Sequence, residues 1–204
     1  MSRVVELKRI TGVLRRKGLT ILLAGSFVIG LLYGVLLIAQ DNAFANEMAS
    51  LSGMKTGAGE PVWLLFIERL GSSLAFLVIP YFFGFCAVGQ PLCCGAVFIK
   101  ALGAGSFLAG LYQEYAWQGV GYCAVAVMVP LTISFFILLL SCRESIRFSN
   151  RIFAVALLGK SGNIGISAIR LYHVKYLFIA GFAVIGALID VLFTVCFANR
   201  LLQL

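Results

Sequence analysis

Charge is what this chain is short of. Only 12% of its 204 residues are Asp, Glu, Lys or Arg, 16 basic and 8 acidic, while 61% are hydrophobic. Mean hydropathy is +1.02. Soluble domains run nearer a quarter charged, with about half their residues apolar. So few charges cannot clothe a water-facing surface of this size, which excludes a soluble enzyme, a disordered chain and a coiled coil. Catalytic groups are scarce too. There is one histidine, His173, and the chain contains no HExxH pair and no GxSxG elbow. Gly159-Lys160-Ser161 imitates the tail of a phosphate-binding loop, but Ala154 stands where that loop needs glycine and no strand precedes it. The six cysteines, Cys86, Cys93, Cys94, Cys123, Cys142 and Cys196, follow no metal-ligand spacing and no disulfide framework. They read as small hydrophobes. The inventory predicts no catalysis, no cofactor and no metal.

What the chain does have is long apolar runs. About 20 apolar residues are needed to cross the roughly 30 Å hydrocarbon core as a helix. Runs of that kind lie at 19–39, 70–88, 92–111, 120–140 and 176–198. Backbone polar groups in lipid must be bonded internally, so a span is a helix or a barrel strand. Barrel strands alternate apolar and polar residues, and nothing here alternates. The expected fold is therefore all-α, a polytopic bundle of about five transmembrane helices in a single integral membrane domain. Between the second and third spans, Gly84 to Gly95 (GFCAVGQPLCCG) is rich in glycine and contains Pro91. It reads as a tight hairpin, with a broken or re-entrant turn as the alternative.

Placement of the charges gives the orientation. Arg3, Lys8, Arg9, Arg15, Arg16 and Lys17 precede the first span, and Arg143, Arg147, Arg151, Lys160, Arg170 and Lys175 lie between the fourth and fifth. Only Lys55, Arg69 and Arg200 fall on the other side, so the count is twelve against three. By the positive-inside rule the N-terminus is cytoplasmic. The net charge of +8 then serves orientation and contact with the lipid bilayer, and no nucleic-acid partner is expected. Ala43-Phe44-Ala45 has the small-x-small form of a signal-peptidase site, but the preceding apolar stretch is longer than a secretory core. An uncleaved span is expected.

Smaller features follow. Trp63 to Arg69 reads either as an interfacial segment or as an extension of the second span. Ser26, Gly30 and Gly34 recur at four-residue spacing, and Gly103, Gly105, Ser106 and Gly110 crowd the third span. Both sets read as faces for close helix packing. Lys100 and Asp190 are the charges expected inside the spans, and intramembrane charges are functional candidates by default. They can pair with each other, or Lys100 can extend its stem to an interface. In Ser141 to Arg151 (SCRESIRFSNR), Arg143, Arg147 and Arg151 share a helical face and Glu144 is spaced to pair with Arg147. Residues 152–175 then read as a glycine-broken interfacial segment.

The order of these features resembles the stage II sporulation protein M family of endospore-forming bacteria. The resemblance lies in GFCAVGQP, in CCGAVFIKALGAGSFLAGLY, in GVGYCAVAVMVPLTIS and in SCRESIRFSNRIF. The matching positions are Gly84, Gly89 and Pro91; Lys100, Gly103 and Gly105; Pro130; and Arg143, Glu144 and Ser145. The stretch covers about residues 63–153. Departures are Ala101 after Lys100, where the family more often has glycine, and Ser141-Cys142 in place of two alanine-like residues. The resemblance implies a non-catalytic scaffold in the bacterial plasma membrane. It would recruit peptidoglycan-degrading partners, the sporulation proteins D and P, to the septal membrane during engulfment. The alternative is a permease subunit or small solute transporter using the Gly84–Gly95 turn with Lys100 and Asp190.

Overall fold

The computed structural model of the chain describes residues 2–39, 47, 61–86, 89–122, 127–156 and 166–201. The Ala43-Phe44-Ala45 pattern, Cys123 and Gly159-Lys160-Ser161 lie outside those residues. Five long helices make up the bundle: α1 (Ser2–Ala39), α2 (Val62–Phe83), α3 (Gly89–Tyr122), α4 (Met128–Ala156) and α5 (Ile166–Leu201). Each is long and apolar enough to cross a membrane. No strand occurs among the described residues.

Helix limits differ from those expected of the apolar runs, and the reason is local. Helix α2 begins at Val62 rather than near 70, so Trp63 to Arg69 form its first turns and do not run along the interface. Pro61 sets that start. It is extended (ψ 135°), and its carbonyl accepts from the amides of Leu64 and Leu65 at 2.9 and 3.3 Å. Nothing from Val62 to Leu70 interrupts a helix once it has begun. The same helix stops at Phe83, short of the expected 88, in a turn where Gly84, Phe85 and Cys86 donate to Pro80, Phe82 and Phe83. These bonds satisfy carbonyls left over at the helix end.

Helix α3 starts at Gly89, so Gly95 is intrahelical and the connection is confined to the residues between Phe83 and Gly89. Gly89 to Gly95 belong to one continuous helix, so that part of the stretch is not a broken helix, and residues 87–88 lie outside the described residues. Pro91 sits in the first turn of α3, where a missing N–H costs no hydrogen bond. Helix α3 continues to Tyr122, α4 runs from Met128 to Ala156 and α5 starts at Ile166. The spans expected at 92–111, 120–140 and 176–198 shift accordingly; of the expected segment 152–175, residues 152–156 close α4, 166–175 open α5 and 157–165 lie outside the described residues. Hydropathy sees only the lipid-facing window, while backbone hydrogen bonding carries on through polar turns that hold no breaker. At about 1.5 Å per residue, the 34 residues of α3 and 36 of α5 are about 51 and 54 Å long, well beyond the hydrocarbon core.

Helix α3 is the centre of the bundle. It packs against all four others and is the most buried span. Helix α1 rests chiefly on α3, while α2, α4 and α5 enclose its other side. Leu23, Phe76, Cys93, Val97, Leu138, Cys142 and Ile146 form one buried cluster drawn from α1 to α4. Large apolar side chains such as Ile21, Leu32, Leu177 and Phe178 are exposed on the outside. That pattern suits lipid, which is as apolar as leucine, so association rests on close packing and internal hydrogen bonds. The chain order brings the start of α1, the α2–α3 hairpin, the end of α4 and the start of α5 to one end, the basic end.

Candidate functional site

Most of the residues singled out by sequence gather at three places, and the first is the basic end. On α4, Ser141, Ser145 and Ser149 are buried at four-residue spacing, one helical row. Ser149 joins the two sides of the hairpin. Its hydroxyl donates to the Cys86 carbonyl at 2.6 Å and accepts from the Gly89 amide at 3.3 Å. Gln90 Nε2 donates to Asn150 Oδ1 at 2.6 Å beside it. Ser145 bonds the hydroxyls of Tyr172 and Tyr176 on α5. Ser141 donates to Tyr176, whose own hydroxyl donates back to the Ser141 carbonyl at 3.1 Å. Tyr172 donates to the Tyr81 carbonyl at 2.9 Å and lies stacked between the rings of Tyr81 and Phe148, with centroids at 5.6 and 4.4 Å.

This packing explains two glycines. A Cβ on Gly84 would run into the Tyr172 hydroxyl, and one on Gly89 into the Phe83 carbonyl and Ser149 Oγ. His173 meets the same cluster from the exposed side. Its Nδ1 reaches the Ile169 carbonyl at 2.8 Å and its Nε2 the Tyr81 hydroxyl at 2.7 Å. The carbonyl accepts only, so Nδ1 is the donor of that bond. Glu144 accepts from Arg147 at 2.6 Å and from Lys175 on α5 at 2.8 Å, one oxygen each. Arg143 is half-buried nearby.

The second place is inside the bundle, and sequence reading had its membership wrong. Asp190 bonds Arg69, with Nη1 to Oδ2 at 3.3 Å. The charge count places Arg69 on the outer side, yet its side chain is 9% exposed. The reason is the early start of α2, which carries Arg69 into the bundle. Lys100 is 5% exposed and does not reach an interface. Its ammonium stands 4.7 Å from the centre of the Phe76 ring, a cation–π contact, within electrostatic reach of both Asp190 and Arg69. Asp190 therefore bonds Arg69 and lies within electrostatic reach of Lys100. Beside Lys100, Ser73, Ser134 and Gly186 help line a cavity of about 20 Å³, room for about one water molecule.

The third place is the seam between α1 and α3, which run parallel. A Cβ on Gly30 would stand 2.6 Å from the Phe98 carbonyl oxygen, and one on Gly34 or Gly105 would strike the carbonyls of Leu102 and Leu31. Ser26 donates across the seam to the Cys94 carbonyl at 3.0 Å, and Ser106 to the Gly34 carbonyl at 3.3 Å. Gly103 is buried on α3. Pro130 is buried in the first turn of α4 and Pro91 is exposed in that of α3, so neither joins these groups.

Arg69 and the serine–tyrosine seam were the residues missed. The signal for the seam was the four-residue recurrence of Ser141, Ser145 and Ser149 opposite Tyr172 and Tyr176. No group of three or more potential metal ligands occurs among the described residues.

Fold and site together define a multi-pass, all-helical membrane protein. Comparison of the chain with models of known families, with curated proteins and with solved structures finds no match.

Proposed function

We propose that the chain is a non-catalytic scaffold of the bacterial plasma membrane, acting as the resemblance to stage II sporulation protein M implies. In this reading it holds peptidoglycan-degrading partners at the septal membrane while one membrane engulfs another. The observation that carries it is the meeting of the two resembling segments, GFCAVGQP and SCRESIRFSNR. They are far apart in sequence, yet Gly89 bonds Ser149 and Gln90 bonds Asn150. A rigid end assembled from both segments suits a protein whose work is to present a surface. The intramembrane charges also suit a structural role, since Asp190 is tied to Arg69.

The second reading, a permease subunit or small solute transporter, draws on the same cluster. Lys100 and its one-water cavity are the features that favour it. Its other support, a broken turn at Gly84–Gly95, is weakened, since Gly89 to Gly95 lie within one continuous helix. One experiment separates the two. In the source organism, deletion of the gene should misplace the septal wall hydrolases and stall engulfment, and Lys100→Met or Asp190→Asn that still fold should restore both. Normal hydrolase placement and engulfment after deletion would overturn the scaffold reading. Restored placement with loss of a solute flux in Lys100→Met would establish transport.

A further inference from the structure

A cavity of about 660 Å³ opens at the basic end, between α1 and α5 and floored by α4. Its size is within the roughly 300–1,000 Å³ typical of ligand sites. Four cations line it: Arg143, Arg147 and Arg151 from one row of α4, and Lys175 from α5. Glu144 already engages Arg147 and Lys175. Arg143 and Arg151 have no acidic partner among the described residues. Part of the wall is apolar. Leu19 and Leu22 of α1 and Leu171 of α5 line it, and Leu22 and Leu171 are 56% and 53% exposed.

From these features we propose that the cleft is a binding site for an anionic phospholipid, independent of the scaffold reading. The phosphate lies between Arg143 and Arg151, and an acyl chain lies against the leucines. The chain's own segments are poor occupants. At this end the sequence has only Glu6 and Glu144 as acids against twelve basic residues, and the 157–165 segment contains one of the twelve, Lys160, and no acid. The acids of this end are too few to neutralise its cations, which favours an anion from outside. Exposed leucines beside four cations, at the basic end of a bundle of membrane-length helices, match a phospholipid better than an acidic peptide.

The test uses the full-length protein in a neutral detergent, with bound lipid counted by native mass spectrometry. Phosphatidylglycerol should be retained and phosphatidylcholine lost. Arg143→Gln/Arg151→Gln should weaken retention about thirtyfold, since each surface arginine is worth a factor of about five. Arg143→Lys/Arg151→Lys should keep most of it. Arg170→Gln removes a charge from the same end but outside the cleft and should leave binding unchanged. Millimolar inorganic phosphate should not displace the lipid. Equal retention of the two lipids, an equal loss in Arg170→Gln, full displacement by phosphate, or displacement by an acidic peptide but not by detergent would each overturn the proposal.

Discussion

Gly34→Ala tests the way α1 is held. The added methyl would meet the Leu102 carbonyl oxygen and stand 2.9 Å from the Ser106 amide nitrogen and 3.0 Å from the Leu102 carbonyl carbon. Ordinary contacts of a Cβ start near 3.4 Å. These are backbone atoms of a central helix, so no rotamer change relieves the clash and the two helices must separate. A gap of about 0.5–1 Å forfeits a quarter to a half of each dispersion contact along the seam. It also lengthens the Ser106 to Gly34 bond, already 3.3 Å. Overpacking of this kind costs about 1–3 kcal/mol, against which alanine offers at most about 1 kcal/mol of helix propensity. Gly25→Ala makes the same chemical change one face away, where nothing lies within 4 Å. It should be neutral or stabilising by up to about 1 kcal/mol. The expected difference between the variants is therefore about 2 kcal/mol. Equilibrium unfolding of the purified protein in mixed neutral and anionic detergent measures it. If Gly34→Ala proves as stable as Gly25→Ala, the parallel α1–α3 seam is wrong.

Asp190→Asn leaves Arg69 and Lys100 inside the bundle without their carboxylate and should destabilise by about 3–5 kcal/mol; Arg69→Met/Asp190→Leu should cost less than the two single changes summed, and additivity in the same unfolding assay would deny the pairing. Ser145→Ala removes one of the partners of two buried tyrosine hydroxyls, which keep their bonds to the Tyr81 and Ser141 carbonyls, and should cost about 0.5–1.5 kcal/mol. Thr132→Ala, whose hydroxyl bonds only its own helix at Met128, is the matched control and should be nearly silent. Cys86 and Cys196 are free, exposed and at opposite ends. In single-cysteine variants a membrane-impermeant maleimide should label Cys196 in intact cells and Cys86 only after permeabilisation, and the reverse pattern would invert the topology.

Membership of a helix proved harder to read than its existence. The apolar run from Leu19 to Ala39 and the span recovered at Gly18–Ile38 agree almost residue for residue, because Arg15-Arg16-Lys17 and Asp41 bracket it. Helix α2 has no such bracket. Glu68 and Arg69 lie among its apolar residues, and a hydropathy argument trims them away, although hydrogen bonding continues through them. That one boundary concealed the partner of Asp190.

Spacing along a helix was legible wherever both partners share that helix. Glu144 and Arg147 are three residues apart and meet at 2.6 Å. The same reasoning identified Gly30, Gly34 and Gly105 as small residues for packing without naming the helix each one meets. Gly84 and Gly89 stood out as turn glycines, but what forbids a side chain there is Tyr172 in one case and Phe83 with Ser149 in the other.

Composition and run length were enough to specify five membrane helices, since a bilayer imposes one thickness and internal hydrogen bonding on any chain that crosses it. The asymmetry of lysine and arginine likewise marked out the basic end. Which helix faces which was decided only when the bundle closed. In lipid, apolar surface carries no preference among partners, so the choice rests on backbone approach at glycine, on serine–tyrosine bonds and on Arg69 meeting Asp190. Those contacts join residues far apart in the chain, and the local pattern around either partner does not contain the other.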